Sequence, residues 1–130
     1  MKYKVGDCAS FSKTITETDV YGFAGICGDF NPVHINKVEA EKSIFGKQVV
    51  HGMLCSSLIS TVLGMYMPGP GTIYLGQDLK FVAPVFIGDT ITATAIIQEI
   101  LPKGKAKILT EVRNQNNKSV ITGEAFVKLP

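Results

Sequence analysis

Hydrophobic and polar residues change their spacing once along this chain, and the change falls at Pro68-Gly69-Pro70-Gly71. On the N-terminal side the apolar residues recur at helical intervals. Val20, Phe23, Ala24 and Cys27 share one helix face, behind a variant capping box of Thr16 and Asp19 and ahead of Gly28, which stops the helix. Asn36 with Glu39 marks a second helix start, for a helix running to about Phe45 and closed by Gly46. Residues 52–65 carry no charge and are apolar or small on every face, so the helix predicted there is expected to be buried nearly all round.

Beyond Gly71 the pattern alternates. Ile73, Leu75, Gln77, Leu79 and Phe81 fall on one face of a strand, with Tyr74, Asp78 and Lys80 on the other. Ile91, Ala93, Ala95 and Ile97 mark a second strand, Ile108, Thr110 and Val112 a third, and residues 120–127 a fourth. The links are a loop at residues 84–89, a turn at Pro102-Lys103-Gly104 and another at residues 114–118. Short links predict an antiparallel meander, extended by a short strand at residues 9–13. One apolar helix and one antiparallel sheet make an α+β fold, with a curved sheet wrapped around the helix.

Composition narrows the setting. The 130 residues are 45% hydrophobic and 18% charged, with a net charge of +2. This length holds one domain, residues 1–130, with its own core, and the apolar content excludes disorder. Charge below the usual ~25% predicts that a homo-oligomer covers part of the surface. Lysines and arginines are scattered apart from Lys103, Lys105 and Lys107, so there is no footprint for nucleic acid. No apolar run reaches the ~18 residues of a membrane span and no signal-peptide stretch follows the first residues, so a soluble, cytoplasmic protein is expected. Cys8, Cys27 and Cys55 match no metal spacing and are expected to be small buried hydrophobes in a reducing compartment.

The chemistry is concentrated between the first helix and the apolar one, in Gly28-Asp29-Phe30-Asn31-Pro32-Val33-His34. Pro32 holds Asn31 out of the α region, so the chain turns sharply and presents Asp29 and His34 from a rigid bend. A carboxylate and an imidazole at this spacing can share one water for general acid/base chemistry. The plainer reading is that Asp and Asn are turn formers and that a loop His is merely solvated. At Val50-His51-Gly52, the start of the apolar helix offers unpaired N–H groups, and Gly52 admits a ligand carbonyl closely. Two readings stand there, an oxyanion hole or a glycine needed for packing. Ser56 and Ser57 are expected to bond back to helix carbonyls, whereas Ser60 lies on the Gly52 face, where it can orient a carboxylate. His51 offers a third polar group beside Asp29 and His34, but two histidines make zinc improbable. There is no Gly-x-Ser-x-Gly elbow for a nucleophilic serine.

Taken together, these segments are recognisable. The stretch at residues 21–40, with Val50-His51-Gly52-Met53-Leu54, Ile73-Tyr74-Leu75-Gly76-Gln77, Pro84-Val85-Phe86-Ile87-Gly88-Asp89 and Thr122-Gly123-Glu124-Ala125, resembles the (R)-specific enoyl-CoA hydratases of the MaoC-like (hydratase 2) family. Within that family it is most similar to the short-chain, single-domain type linked to polyhydroxyalkanoate synthesis. The resemblance implies a hot-dog fold and a homodimer whose sheets join edge to edge. It implies catalytic Asp29 and His34, an oxyanion-hole N–H at Gly52, a supporting serine at Ser60, and Asn31 as a turn-shaping residue. It also implies a trans-2-enoyl-CoA substrate hydrated to the (R)-3-hydroxyacyl thioester, with no metal or redox cofactor. The acyl chain is expected along the helix near Ser60 and Leu63, with Phe126 shortening the pocket if it faces inward. A hot-dog thioesterase, an acyl-carrier-protein dehydratase and a non-catalytic acyl-CoA-binding domain are the alternatives.

Overall fold

The computed structural model describes residues 2–130. Strand β1 (Cys8–Thr14) leads into helix α1 (Glu17–Cys27). The helix begins where expected, because Thr16 accepts from the Asp19 amide while Asp19 accepts from the Thr16 amide. Those contacts, first the Thr16 amide and then Lys13 at 2.9 Å, hold the Asp19 carboxyl below its ordinary range. Gly28 ends α1 at φ 81°, a left-handed conformation that glycine enters without a Cβ clash.

The bend after Gly28 contains an element that the spacing did not predict. Asn31 caps a one-turn helix, α2 (Pro32–Ile35), with Pro32 at its first position. Proline there excludes the α region for Asn31 but is itself shaped for a helix start, so one residue both breaks α1 and begins α2. Helix α3 (Lys37–Glu41) starts at Asn36 as expected but stops short of Phe45. Ser43 donates to the Ala40 carbonyl and accepts from the Phe45 amide, taking the backbone groups that a longer helix would use.

The apolar helix is α4 (Gly52–Thr61), continued by a widened π turn at Val62–Tyr66. It packs against β1, β4 (Thr90–Leu101) and β5 (Lys105–Arg113). Its Leu58, Ile59, Val62 and Leu63 meet Ile91, Ile97, Ile108 and Val112 in one core. Each fully buried aliphatic side chain there is worth about 1.5–3 kcal/mol over exposure. Burial is not all round, however: Met53, Ser57, Ser60, Met65 and Tyr66 lie open along one side of the helix.

The remaining strands are β2 (Ile73–Gln77), β3 (Lys80–Phe81) and β6 (Ser119–Lys128). All pairings are antiparallel, and the order β1-β4-β5-β6-β2, with β3 also on β6, departs from the simple meander. Only β4, β5 and β6 follow one another. β2 lies on the far side of β6, so residues 82–89 must cross back to β4. The predicted strand at 73–81 is broken because Asp78 bonds to Glu124 through both backbone and side chain. It approaches β6 so closely that a Cβ on Gly123 would lie 2.0 Å from the Asp78 carbonyl oxygen. Around the buried helix the sheet makes the arrangement expected of a hot-dog fold. No helix among the described residues is long and apolar enough to cross a membrane.

Three side-chain expectations change. Ala125 and Val127 take the core face of β6, so Phe126 points to the other face, with the Lys105 ammonium 5.8 Å from its ring centre, and does not shorten a pocket beside α4. Cys8 and Cys27 are exposed and only Cys55 is buried, because Cys8 lies on the outer face of β1 and Cys27 at the free end of α1. Ile73 and Leu75 are also exposed, since β2 is an edge strand, while Phe81 on β3 is half exposed with its ring against Gly52.

Candidate active site

The Asp29 and His34 side chains converge because the residues between them leave little freedom. The Asn31 amide donates to Asp29 Oδ1 at 3.1 Å, which fixes the carboxylate and leaves Oδ2 free. Asn31 in turn accepts from the Val33 amide through its side chain, and its carbonyl accepts from the His34 amide. Asn31 is therefore held by the turn it shapes, and it also borders the cleft beside His34. His34 Nε2 ends 3.9 Å from Asp29 Oδ2. The imidazole is 12% exposed and the carboxylate 50%, so the pair opens to solvent on the Asp29 side.

Hydrogen bonding assigns the protons. His34 Nδ1 lies 2.8 Å from the Val49 carbonyl, which can only accept, so Nδ1 carries the hydrogen of the neutral ring. Nε2 is left with its lone pair facing Asp29. A water placed ~2.8 Å from both atoms can donate one hydrogen to each.

The second part of the site is the start of α4. Its first intrahelical bond runs from the Cys55 amide to the His51 carbonyl, and no side chain caps the turn before it. The Gly52, Met53 and Leu54 amides are thus spare donors at the positive end of a helix. Gly52 and Met53 border a cleft of about 530 Å³ that also takes in His34, Cys55, Phe81 and Ile121. Its walls are mainly apolar, and the crossing segment supplies one of them through Val82, Ala83, Pro84 and Val85. That segment is tied to the entrance of α4 by the Val50 amide, which donates to the Val85 carbonyl at 2.8 Å. Burial pushes the Cys55 thiol up to about 12, so it stays protonated and serves as wall rather than nucleophile.

Other candidates fall elsewhere. Ser56 and Ser57 bond back to the Met53 and Leu54 carbonyls, as expected. Ser60 lies about 12 Å along α4 from Gly52. It is exposed and, among the described residues, makes no hydrogen bond to Asp29. The cleft is bordered by neither Ser60 nor Leu63, and Phe81 and Ile121 lie on its wall instead. His51 does join Asp29 and His34, with one donor atom of each within 4.8 Å of the others. Its ring is stacked on His34 at 3.9 Å and 25°, so the lone pairs of the two rings lie in nearly parallel planes. A tetrahedral ion needs them to converge. The same ring gives Nε2 to the Asp29 carbonyl at 3.0 Å. Sequence reading placed His51 among possible ligands and missed this contact; the available signal was a helix start with no Ser, Thr, Asp or Asn at the cap position. It also missed Phe81, whose ring lies against Gly52.

Residues 7–120 match the family described as MaoC like domain. Over 127 residues the chain is 46% identical to an (R)-specific enoyl-CoA hydratase of Rhodospirillum rubrum, covering 98% of this chain and 88% of the relative. It is 42% identical over 128 residues to an (R)-specific enoyl-CoA hydratase of Aeromonas caviae, with 98% and 96% covered. A solved structure described as the (R)-hydratase from A. caviae involved in PHA biosynthesis superposes with a TM-score of 0.96 at 41% identity, over 99% of this chain and 98% of that one. Loop, helix start and sheet all fall within these matches, and the chain belongs to the MaoC-like domain family.

Proposed function

We propose that this protein is an (R)-specific enoyl-CoA hydratase, adding water across the double bond of a trans-2-enoyl thioester of coenzyme A. The observation that carries the reading is the Asp29–His34 pair set across a water-sized gap beside an uncapped helix start. The hydratase relatives supply the substrate class.

The chemistry follows from charge. Attack of water on the β-carbon drives an electron pair through the conjugated system onto the thioester oxygen. The Gly52 amide and the positive end of α4 stabilise that oxygen where the charge develops. Asp29, fixed through Oδ1, takes the water proton on Oδ2, while His34 Nε2 holds the other hydrogen and orients the attacking lone pair. The α-carbon then receives a proton from the pair through His34. One hydroxyl and one hydrogen have been added, and the C–S bond is untouched. The protein side chains suffice, with no metal or redox cofactor, because the thioester itself makes the α-position acidic.

With crotonyl-CoA, the enoyl absorbance is expected to disappear without release of free thiol. Thiol release at a matching rate would make the protein a thioesterase, and binding without turnover would make it a carrier of acyl-CoA. Rates on matched CoA and acyl-carrier-protein thioesters separate a hydratase from a carrier-protein dehydratase.

The working unit in this reading is a homodimer joined through β2. Edge strands usually carry polar residues that discourage pairing. β1 does so with Ser10, Ser12 and Thr14, whereas β2 exposes Ile73, Tyr74 and Leu75. Light scattering is expected to give twice the chain mass, and the variant Ile73→Lys with Leu75→Lys to give a monomer. A wild-type monomer at micromolar concentration would refute the pairing. The cysteines Cys8, Cys27 and Cys55 are free thiols, which accords with the cytoplasmic location we assign.

A further inference from the structure

His51 lies at the junction of the two halves of the site, and the mechanism above gives it no part. Its ring is 2% exposed. Nε2 is 3.0 Å from the Asp29 carbonyl, one face stacks on His34 at 3.9 Å, and Phe23 meets the ring edge-on at 5.0 Å. Nδ1 is buried and, among the described residues, has no partner. The Asp29 carbonyl makes no other hydrogen bond among the described residues. The Asp29 end of the loop is therefore tied to the start of α4 by this one side chain, across 22 positions of sequence, while the Val33 and His34 end is held separately through Val49.

The same contacts fix the ring's tautomer. A carbonyl only accepts, so Nε2 bears the hydrogen, and Nδ1 is the bare nitrogen of the neutral ring. A second N–H at Nδ1 would be buried without an acceptor, which is costly. His34 is held the opposite way, with its hydrogen on Nδ1 and its lone pair on Nε2.

We propose that His51 is a positioning residue for the hydration reaction: its Nε2–H holds the Asp29 main chain and its ring face holds His34, setting the gap in which water is activated. The proposal rests on the assignment of Asp29 and His34 as the reacting pair.

Two substitutions separate the two contacts. His51→Gln places an amide N–H near the position of Nε2 and loses the ring, whereas His51→Phe keeps the ring and loses the donor. With crotonyl-CoA, His51→Gln is expected to keep kcat within about 5-fold of wild type. His51→Phe is expected to lose about 10- to 100-fold in kcat with KM changed less than about 2-fold, the scale of a misplaced reacting group. Wild-type kcat in His51→Phe, equal losses in both variants, or a change confined to KM would overturn the proposal. A readout independent of any variant's folding is the long-range 1H–15N spectrum of the wild-type imidazoles. There are two histidines, so two patterns are expected, Nε2–H for His51 and Nδ1–H for His34. An Nδ1–H pattern for His51 would also overturn it. Full activity in Asp29→Asn would instead refute the assignment of the reacting pair, leaving the tautomer pattern as it is.

Discussion

Replacing Asp29 with Asn, or His34 with Asn, is expected to lower the hydration of crotonyl-CoA by about 10³-fold or more while leaving the fold intact, since each removes a group that handles a proton in the transition state. The choice of Asn follows from the geometry. At position 29 its side-chain oxygen can still accept from the Asn31 amide, so the turn survives and only the base is lost. At position 34 its side-chain N–H stands near ring Nδ1 and can still donate to the Val49 carbonyl, while Nε2 is lost. Stopped-flow or steady-state absorbance at saturating substrate measures the effect, with circular dichroism and melting temperature as the check on folding. Turnover within 10-fold of wild type in either variant would show that the pair does not carry the chemistry.

The second large effect is expected at Gly52, where the reason is steric. A Cβ there would stand 2.6 Å from Phe81 Cε1 and 2.7 Å from Cδ1, closer than real carbons approach. In Gly52→Ala either the ring swings into the cleft or the first turn of α4 shifts, and both displace the amide from the thioester oxygen. A loss of about 10²-fold in kcat is expected, comparable to removing one oxyanion donor. Phe81 is half exposed at the cleft wall, so its ring can be removed without opening the core. The double variant Gly52→Ala with Phe81→Ala is therefore expected to recover at least 10-fold over Gly52→Ala, once the effect of Phe81→Ala alone is taken into account. Strict additivity of the two changes would mean that the methyl group acts through something other than this contact.

Which parts of this picture could be read from the chain depends on the range of the interaction. The Thr16–Asp19 box, the Gly28 stop and the Asn36 start were legible because each is a bond between residues three or four apart. The alternation through Ile91, Ala93, Ala95 and Ile97 was legible because one buried face imposes a period of two. Where local chemistry competed, the reading slipped. Ser43 shortened α3, and Pro32 began a helix where it was expected only to end one. Asp29 and His34 were accessible as a pair because only four residues separate them, in a turn shaped by Asn31 and Pro32.

By itself, then, the sequence determined helix α1, the apolar helix, the buried faces of β4 and β5, and the rigid loop that presents a carboxylate and an imidazole together. These are properties of neighbours along the chain, set by periodicity, caps and restricted dihedrals. The tertiary structure decided that β2 crosses to the far side of β6, leaving an apolar edge. It decided that Phe81 lies on Gly52, that Ser60 stays away from Asp29 within one chain, and that His51 joins the two halves of the site. Each of those depends on which surfaces meet when the sheet closes around α4. Alternation says which face of a strand is buried but not which strand lies beside it, and no local bond brings residue 51 to residue 29.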